Sequence, residues 1–224
     1  MKIFYDGANL DEINEVTQLG IISGITTNLS SSKKIMIKEK IDYDNFKDKI
    51  FDAIKAYNQR LSLSFQVSKN EPKDIYEEAI NIHEKYKGLD LKVKVPINYE
   101  NLEVINKLVK KGVKVNATCV TSFTQGVVAA NVGCSYVSFF WGRMTDADID
   151  AQKIVNNFRN LLDKNELSKN VKILVGSIRH QGVISEAYVA GADIVTTGLE
   201  NIKKLSHHFK SEEANHGFQK EWNK

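Results

Sequence analysis

The sequence has few cysteines and no cluster of metal ligands. Its two cysteines among 224 residues, Cys119 and Cys134, have neither the number nor the spacing of a disulfide framework or a zinc site. We therefore predict that both are small core residues. The five histidines include the neighbours His207 and His208, which form no ligand pattern. We expect neither a metal nor an organic cofactor.

Long apolar runs and an excess of one charge are also missing. No run approaches the ~18 apolar residues that span a bilayer, and the N-terminus lacks the basic region and apolar stretch of a secretory signal. The 31 basic and 28 acidic side chains leave a net charge of +3, and they alternate along amphipathic segments without forming basic blocks. We expect a cytoplasmic protein that binds neither a membrane nor a nucleic acid.

The chain does contain a regular alternation of short β-branched runs and longer segments of helical period. This alternation is typical of repeated βα units around a parallel sheet. Eight strand candidates occupy residues 2–5, 21–26, 61–67, 91–95, 113–119, 136–140, 171–175 and 194–197. Helical periodicity is found at residues 46–57, 75–83, 102–109, 123–130, 149–162 and 183–190. Gly88, Gly112 and Gly191 are predicted to end helices just before the next strand.

This repeat predicts an α/β protein, a single (β/α)8 TIM barrel over residues 1–210 with an extra C-terminal helix at 211–224. An open doubly wound sheet is the alternative, but the repeat has no long insertion and no glycine-rich nucleotide motif. The terminal segment carries Phe218 and Trp222 four residues apart on one face. We expect this helix to dock on a neighbouring subunit.

Polar residues at the carboxyl ends of the strands are the candidates for function, because active sites of such barrels lie at that end. The first seven strands each carry such residues. They are Asp6, the run Thr26 to Asn28, Gln66, Lys94, Asn116 with Thr118, Ser138 with Arg143, and Ser177 with Arg179.

Lys94 is the most specific of these candidates. Leu91, Val93 and Val95 place the apolar face of its strand toward the helices, so Lys94 points into the barrel. Burial disfavours the ammonium, and a neutral amine attacks a carbonyl to give an imine. A structural ion pair, for example with Asp6, or a lysine extending to solvent at the strand end are the alternatives. Lys92 faces the same way nearer the lower rim, and we interpret it as structural.

A Schiff-base enzyme also moves protons at the substrate. Asp6, Gln66 and Thr118 are in reach on neighbouring strands, and Asp6 alone of these can act as a base. Gln66 can orient a water molecule, with Thr118 as a second hydrogen-bonding group. Alternatively, Thr118 and Asn116 bind main-chain groups at the strand ends.

Arg143 and Arg179, together with Ser177 at a strand-to-helix junction, predict an anion site. Two guanidinium groups and the N–H groups of a helix N-terminus suit a phosphate. Either arginine could instead bind a surface carboxylate.

Five ordered motifs carry a resemblance to a known family. They are Gly-Ile-Thr-Thr-Asn at 24–28, Val-Lys-Val-Pro at 93–96, Asn-Ala-Thr at 116–118, Tyr-Val-Ser-Phe-Phe-Trp-Gly-Arg at 136–143 and Gly-Ser-Ile-Arg-His at 176–180. In this order and spacing, the chain resembles the small transaldolases and fructose-6-phosphate aldolases along essentially its whole length.

The resemblance implies a class I mechanism without metal or cofactor, in which Lys94 forms the imine and Asp6 transfers protons. It implies that Gln66 and Thr118 hold the catalytic water. The hydroxyls of a dihydroxyacetone unit would be bound by Asn28, Asn116 and Ser138, and the anionic end of the sugar by Arg143, Ser177 and Arg179. It also implies pentamers with exchanged C-terminal helices, often paired into decamers.

Several positions depart from the family pattern. Gly7 stands where Thr or Ser is usual, Leu29 where Pro is usual, and residues 139–141 where Pro-Phe-Leu is common. At the positions of Gln66 and Phe140, the aldolases of the family usually have Gln and Tyr, and the transaldolases usually have Glu and Phe. This chain therefore has one residue typical of each group.

Phe140 has no hydroxyl to assist release of dihydroxyacetone, so we favour a transaldolase acting on a 6-phosphorylated ketose. The alternatives are a 6-sulfonated ketose such as one derived from sulfoquinovose, an aldolase that releases free dihydroxyacetone, and a non-catalytic barrel that binds sugar phosphates.

Overall fold

A computed structural model describes residues 1–57 and 61–223 and contains one closed barrel of eight parallel strands. The strands follow in chain order as β1 Lys2–Asp6, β2 Ile22–Thr26, β3 Ser62–Gln66, β4 Leu91–Pro96, β5 Val115–Val120, β6 Tyr136–Phe140, β7 Lys172–Gly176 and β8 Ile194–Thr197. β1 pairs with both β2 and β8, which closes the barrel. The predicted TIM barrel is confirmed. Residues 58–60 of the predicted barrel domain and residue 224 of the predicted terminal helix lie outside the described residues.

Helices alternate with the strands on the outside of the barrel. They are α1 Leu10–Gln18, α2 Leu29–Glu39, α3 Tyr43–Ala56, α4 Pro72–Lys85, α5 Leu102–Lys110, α6 Phe123–Asn131, α7 Trp141–Thr145, α8 Ala151–Lys164, α9 Gly182–Val189, α10 Leu199–Lys204 and α11 Phe209–Trp222. The periodicity of the sequence does not single out α1, α2, α7 and α10. α7 and α10 have only five and six residues and α2 fully buries no apolar side chain, so their apolar pattern is weak, whereas α1 does bury the apolar pair Ile13 and Val16.

Glycines end several of these helices as predicted. Gly112 comes directly after the C-cap residue of α5, and Gly191 directly after that of α9. Their φ angles are 81° and 100°. These left-handed backbone angles favour glycine, which has no Cβ. The chain therefore turns from each helix directly into the next strand.

The lower part of the barrel interior, at the amino-terminal ends of the strands, is filled by a small apolar cluster. It consists of Phe4, Tyr136, Leu174 and Ile194. Gly24 makes room for this cluster, because a Cβ there would lie 2.6 Å from the Phe4 ring and 2.6 Å from the Ser62 carbonyl oxygen. The cluster forms an apolar base beneath the polar upper part of the barrel.

Lys92 is buried beside this cluster. Its Nζ lies 2.5 Å from Asp90 Oδ1, 3.1 Å from Ser62 Oγ and 4.8 Å from the centre of the Tyr136 ring. The carboxylate compensates the charge of this buried ammonium, and the ion pair holds the pKa of Asp90 below its ordinary value despite desolvation. Lys92 therefore has a structural partner at the lower rim.

The terminal helix α11 has no buried residue in this chain. Phe209, Phe218 and Trp222 are 65%, 70% and 89% exposed. In the described part of the chain, no helix has the length and apolar character needed to cross a membrane.

We predict that Gly24→Ala lowers the free energy of unfolding by about 1–3 kcal/mol, because the added methyl group overpacks the barrel interior. Denaturant unfolding followed by circular dichroism measures this change. Gly198→Ala is the matched control, since a Cβ there meets no atom within 4 Å. Equal stability of the two variants would contradict the tight packing around Gly24.

Candidate active site

A cavity of about 290 Å³ opens at the carboxyl ends of the strands. Its walls include eight of the eleven predicted site residues, namely Asp6, Asn28, Gln66, Lys94, Ser138, Phe140, Arg143 and Ser177. The other three, Asn116, Thr118 and Arg179, do not line it. The remaining wall is formed by Thr26, Leu29, Ser30, Cys119, Leu174, Gly176 and Thr196.

Lys94 is buried, with 5% of its surface exposed, and its Nζ reaches the cavity. The Nζ donates a hydrogen bond to the carbonyl oxygen of Thr27 at 3.0 Å and lies 6.0 Å from the centre of the Phe140 ring. Within the described part of the chain Lys94 forms no salt bridge, so the alternative ion pair with Asp6 is absent. Burial lowers the pKa of Lys94, while the charges of Asp6 and Cys119 act in the opposite direction.

Asp6 ends β1 and faces the same cavity. Its Oδ1 accepts hydrogen bonds from Thr26 Oγ1 at 3.0 Å and from Asn28 Nδ2 at 3.2 Å. Asn28 is also the N-cap of α2, because its Oδ1 accepts the N–H of Ser31 at 2.9 Å. The start of α2 therefore helps to orient the carboxylate of Asp6.

The turn after Asp6 is built around Tyr5. The Tyr5 hydroxyl donates to Glu12 Oε2 at 2.6 Å, and Asn9 Nδ2 donates to Glu12 Oε1 at 3.2 Å. A Cβ at Gly7 would lie 2.1 Å from the Tyr5 hydroxyl oxygen. A larger residue at position 7 would therefore clash with the Tyr5 side chain.

A chain of side-chain hydrogen bonds crosses the barrel below the cavity. Asn116 Nδ2 donates to Ser64 Oγ at 2.6 Å, and Ser138 Oγ donates to Asn116 Oδ1 at 2.7 Å. The alternative that Asn116 binds main-chain groups at the strand end is therefore wrong. Asn116 is fully buried and reaches the cavity only through Ser138.

Gln66 and Thr118 are placed differently from each other. Gln66 is half-buried on the cavity wall at the end of β3, beside Lys94 in the strand register. Thr118 is fully buried, and its Oγ1 has no hydrogen-bond partner among the described residues. Because buried hydroxyls normally have a partner, the Thr118 side chain has unused capacity to bind a small polar molecule.

The predicted anion site is only partly assembled. Arg143, on α7 one turn beyond the end of β6, lines the cavity. Ser177 also lines it, and its backbone is left-handed, with φ 59°. Arg179 packs over Gly142 and forms an ion pair with Asp146, away from the cavity wall. Arg179 thus binds a surface carboxylate in this structure, as its alternative had it, and its contact with a bound anion stays a prediction.

Cys119 is not a core residue, contrary to our prediction, whereas Cys134 is buried. An irregularity in the pairing of β5 with β6 lies between Ala117 and Val120, and Cys119 adopts a φ of 63° there. Because of this local backbone change, the Cys119 side chain no longer follows the inward–outward alternation of β5 and instead lines the cavity. No periodic pattern in the sequence predicts it.

Thr196 is a second wall residue that the sequence analysis missed. It lies on β8, and its Oγ1 is 2.7 Å from Thr26 Oγ1. The predicted site residues include none from the eighth strand. The alternation of Ile194 and Thr196 along β8, both facing inward, is the signal that identifies it.

No group of three or more His, Cys, Asp or Glu side chains within residues 1–57 and 61–223 could hold a metal ion. His207 pairs with Glu212, its Nδ1 lying 2.7 Å from Oε1. A buried amine, a carboxylate, an amide and a guanidinium thus converge on one cavity. Such a set can bind an anionic carbonyl compound and transfer protons on it.

The chain is similar to several known proteins. Residues 3–224 match the model of a family described as transaldolase/fructose-6-phosphate aldolase. A protein named probable transaldolase from Prosthecochloris aestuarii is 34% identical over 212 residues, which are 93% of this chain and 91% of the relative. Another of that name from Halalkalibacterium halodurans is 32% identical over 225 residues, covering 100% of this chain and 99% of the relative.

Solved structures show likeness in fold alone. A structure described as native KDPGal superposes with a TM-score of 0.57 at 14% identity and covers 88% of this chain and 81% of its own. This likeness extends the evidence for the barrel and carries no information about the reaction.

Proposed function

Because the chain belongs to the transaldolase/fructose-6-phosphate aldolase family of aldolase-type enzymes, we propose that it is a transaldolase that works through an imine on Lys94. It transfers a dihydroxyacetone unit from an anionic ketose to an aldose. The observation that carries the proposal is the buried amine of Lys94, which forms no salt bridge with any of the described residues and faces a cavity shared with Asp6 and Gln66. A barrel that only binds sugar phosphates has no need of such an amine.

In the proposed reaction, the neutral Lys94 amine attacks carbon 2 of the ketose, and the carbonyl oxygen leaves as water. The resulting iminium draws electrons from the bond between carbons 3 and 4. Asp6 accepts the proton of the hydroxyl on carbon 4 as this bond breaks and an aldehyde departs. The bound enamine then attacks an acceptor aldehyde, which takes back the proton, and water hydrolyses the new imine to release the product ketose.

Polar residues on the cavity wall and behind it take part in this proposed reaction. Asn28 and Ser138 bind the hydroxyls of the dihydroxyacetone unit, and Asn116 acts through its hydrogen bond to Ser138. Gln66 and Thr118 hold the water that forms and hydrolyses the imine, which would use the unpartnered Thr118 hydroxyl. An amide can orient water but cannot take a proton from it, so Asp6 is the base.

The anion of the substrate is held by Arg143 and Ser177. Arg179 joins them after its guanidinium exchanges Asp146 for the substrate, which is feasible because both side chains are about half exposed, at 51% and 50%. A surface ion pair of this kind contributes little free energy, about 0–1 kcal/mol. Phosphate and sulfonate both accept such hydrogen bonds, and we keep both as substrate classes.

An aldolase that releases free dihydroxyacetone is the second candidate, and Gln66 favours it. Phe140 favours the transferase, because it has no hydroxyl to protonate the enamine, which then persists until an acceptor arrives. We favour the transferase, because the ring centre of Phe140 lies 6.0 Å from the Lys94 amine.

We further propose that residues 1–210 form the catalytic barrel and that α11 packs on a neighbouring subunit in a pentamer or decamer. A 14-residue helix without a buried side chain gains little packing energy within its own chain. Its exposed Phe218 and Trp222 would be covered by a neighbour. The cytoplasmic location expected from the sequence stays a prediction.

We predict that fructose 6-phosphate plus borohydride adds one three-carbon or six-carbon fragment to Lys94, because imine reduction is irreversible. Mass spectrometry of peptides locates the adduct. Since burial lowers the pKa of Lys94, the neutral amine forms at lower pH than in an ordinary lysine, and labelling should reach its plateau below the ordinary pKa of 10.5.

Lys94→Ala should abolish both labelling and turnover, whereas Lys38→Ala, in the last turn of α2, should change neither. A 6-sulfonated ketose and unphosphorylated fructose serve as further donors. Labelling of equal efficiency with unphosphorylated fructose would contradict the anion site, and full activity of Lys94→Ala would remove the mechanism.

For the choice between transfer and release, we predict that the donor alone reacts slowly and that glyceraldehyde 3-phosphate or erythrose 4-phosphate raises turnover by about tenfold or more, a barrier difference of roughly 1.4 kcal/mol. Phe140→Tyr should increase release of dihydroxyacetone without acceptor. Coupled assays of dihydroxyacetone and of the product ketose measure the two rates. Rapid release by the wild type would make the protein an aldolase.

Deleting residues 211–224 should reduce the number of subunits in the assembly, because the neighbouring subunit loses its contacts with Phe218 and Trp222. Light scattering measures this change. Trp222→Ala should have the same effect in weaker form, and Lys220→Ala, on the same helix, should have none. An assembly of unchanged subunit number after the deletion would show that α11 is not an intersubunit element.

A further inference from the structure

Thr27 connects two of the residues to which the proposed reaction assigns chemistry. It is buried and lies one position beyond β2. Its carbonyl oxygen accepts the hydrogen bond from Lys94 Nζ at 3.0 Å, and its hydroxyl oxygen accepts the main-chain N–H of Gln66 at 3.1 Å. Its own N–H donates to the Ser64 carbonyl oxygen at 3.0 Å, which continues the pairing of β2 with β3.

The two neighbours of Thr27 contact a different site residue. Thr26 Oγ1 and Asn28 Nδ2 both donate to Asp6 Oδ1. Of these three consecutive residues, Thr26 and Asn28 orient the carboxylate of Asp6. Thr27, between them, binds the Gln66 N–H on β3 and the Lys94 amine on β4. Thr27 is not on the cavity wall, so it acts only through these partners.

We propose that Thr27 is a positioning residue that sets the direction of the Lys94 amine, an inference that rests on the imine mechanism proposed above. A carbonyl oxygen accepts a hydrogen bond and cannot donate one. It therefore binds an N–H of the neutral amine and leaves the nitrogen lone pair free for the substrate carbon. A hydroxyl in the same place could donate to that lone pair and compete with the attack.

The Thr27 hydroxyl keeps this carbonyl in place. Through the Gln66 N–H it ties the end of β2 to β3, and the Gln66 position is paired with Lys94 in the register of β3 and β4. Loss of the hydroxyl leaves the Gln66 N–H without this partner and removes one of the two hydrogen bonds that tie Thr27 to β3, so the carbonyl that holds the amine is less firmly placed. The side chain of Thr27 is thus coupled to the orientation of Lys94.

The test compares Thr27→Val, which keeps the shape and removes the hydroxyl, with Thr27→Ser, which keeps the hydroxyl. Because small misplacements of reacting groups cost up to about 100-fold in rate, we expect Thr27→Val to lower kcat by roughly 10- to 100-fold. KM should change much less, since Thr27 does not line the cavity. The rate of borohydride labelling at Lys94 should fall with kcat, and Thr27→Ser should restore both.

Thr197→Val is the matched control, because Thr197 is a buried strand-end threonine whose hydroxyl accepts from Asn201 Nδ2 at 2.9 Å away from the cavity wall. It should leave kcat unchanged. If Thr27→Val does not fold, Thr27→Cys, whose thiol is a weaker acceptor, provides the same comparison.

A folded Thr27→Val or Thr27→Cys with the kcat and labelling rate of the wild type overturns the role of Thr27 while leaving the imine mechanism intact. Equal losses in Thr27→Ser and Thr27→Val also overturn it, because the hydroxyl would then not be the cause. Wild-type protein that is not labelled at Lys94 overturns the proposed mechanism and this role with it.

Discussion

The upper half of the barrel depends on the burial of the Lys94 amine, which has no salt-bridge partner within residues 1–57 and 61–223. A charged ammonium in this position would lose its hydration without gaining a carboxylate, so burial lowers the pKa of Lys94. The Thr27 carbonyl oxygen supplies a neutral acceptor. Asp6 is held by Thr26 and Asn28 rather than by the lysine, which keeps the amine and the carboxylate chemically distinct.

The contrast between Lys94 and Lys92 shows how local partners decide the chemistry of similar positions. The two lysines lie two residues apart on the same strand, and both are 5% exposed. Lys92 Nζ lies 2.5 Å from a carboxylate oxygen of Asp90. Phe4 and its apolar neighbours fill the barrel interior beside this ion pair. Lys94, as far as the structure describes its surroundings, has a carbonyl oxygen as its partner and lines the cavity. One lysine is therefore structural, and the other is available for reaction.

The site could be predicted from the sequence as far as strand alternation determines which side chains face inward. Lys94, Gln66 and Ser138 are examples, because each follows the period of a regular strand. Strand alternation does not show where the backbone leaves that period or where a distant partner competes for a side chain. Cys119 turns to the cavity at the irregular pairing of β5, and Arg179 is drawn away from it by Asp146. Neither event has a local sequence signal.

The sequence by itself determined the closed barrel, the family and the inward-facing lysine, because apolar periodicity and ordered motifs are properties of short segments. Only the tertiary structure decided which polar groups meet. Asn116 became a buried link to Ser138 instead of a wall residue, and Thr27 became the common partner of Lys94 and Gln66. These contacts join residues far apart in the chain, and their geometry depends on strand register and barrel closure, which no single segment encodes.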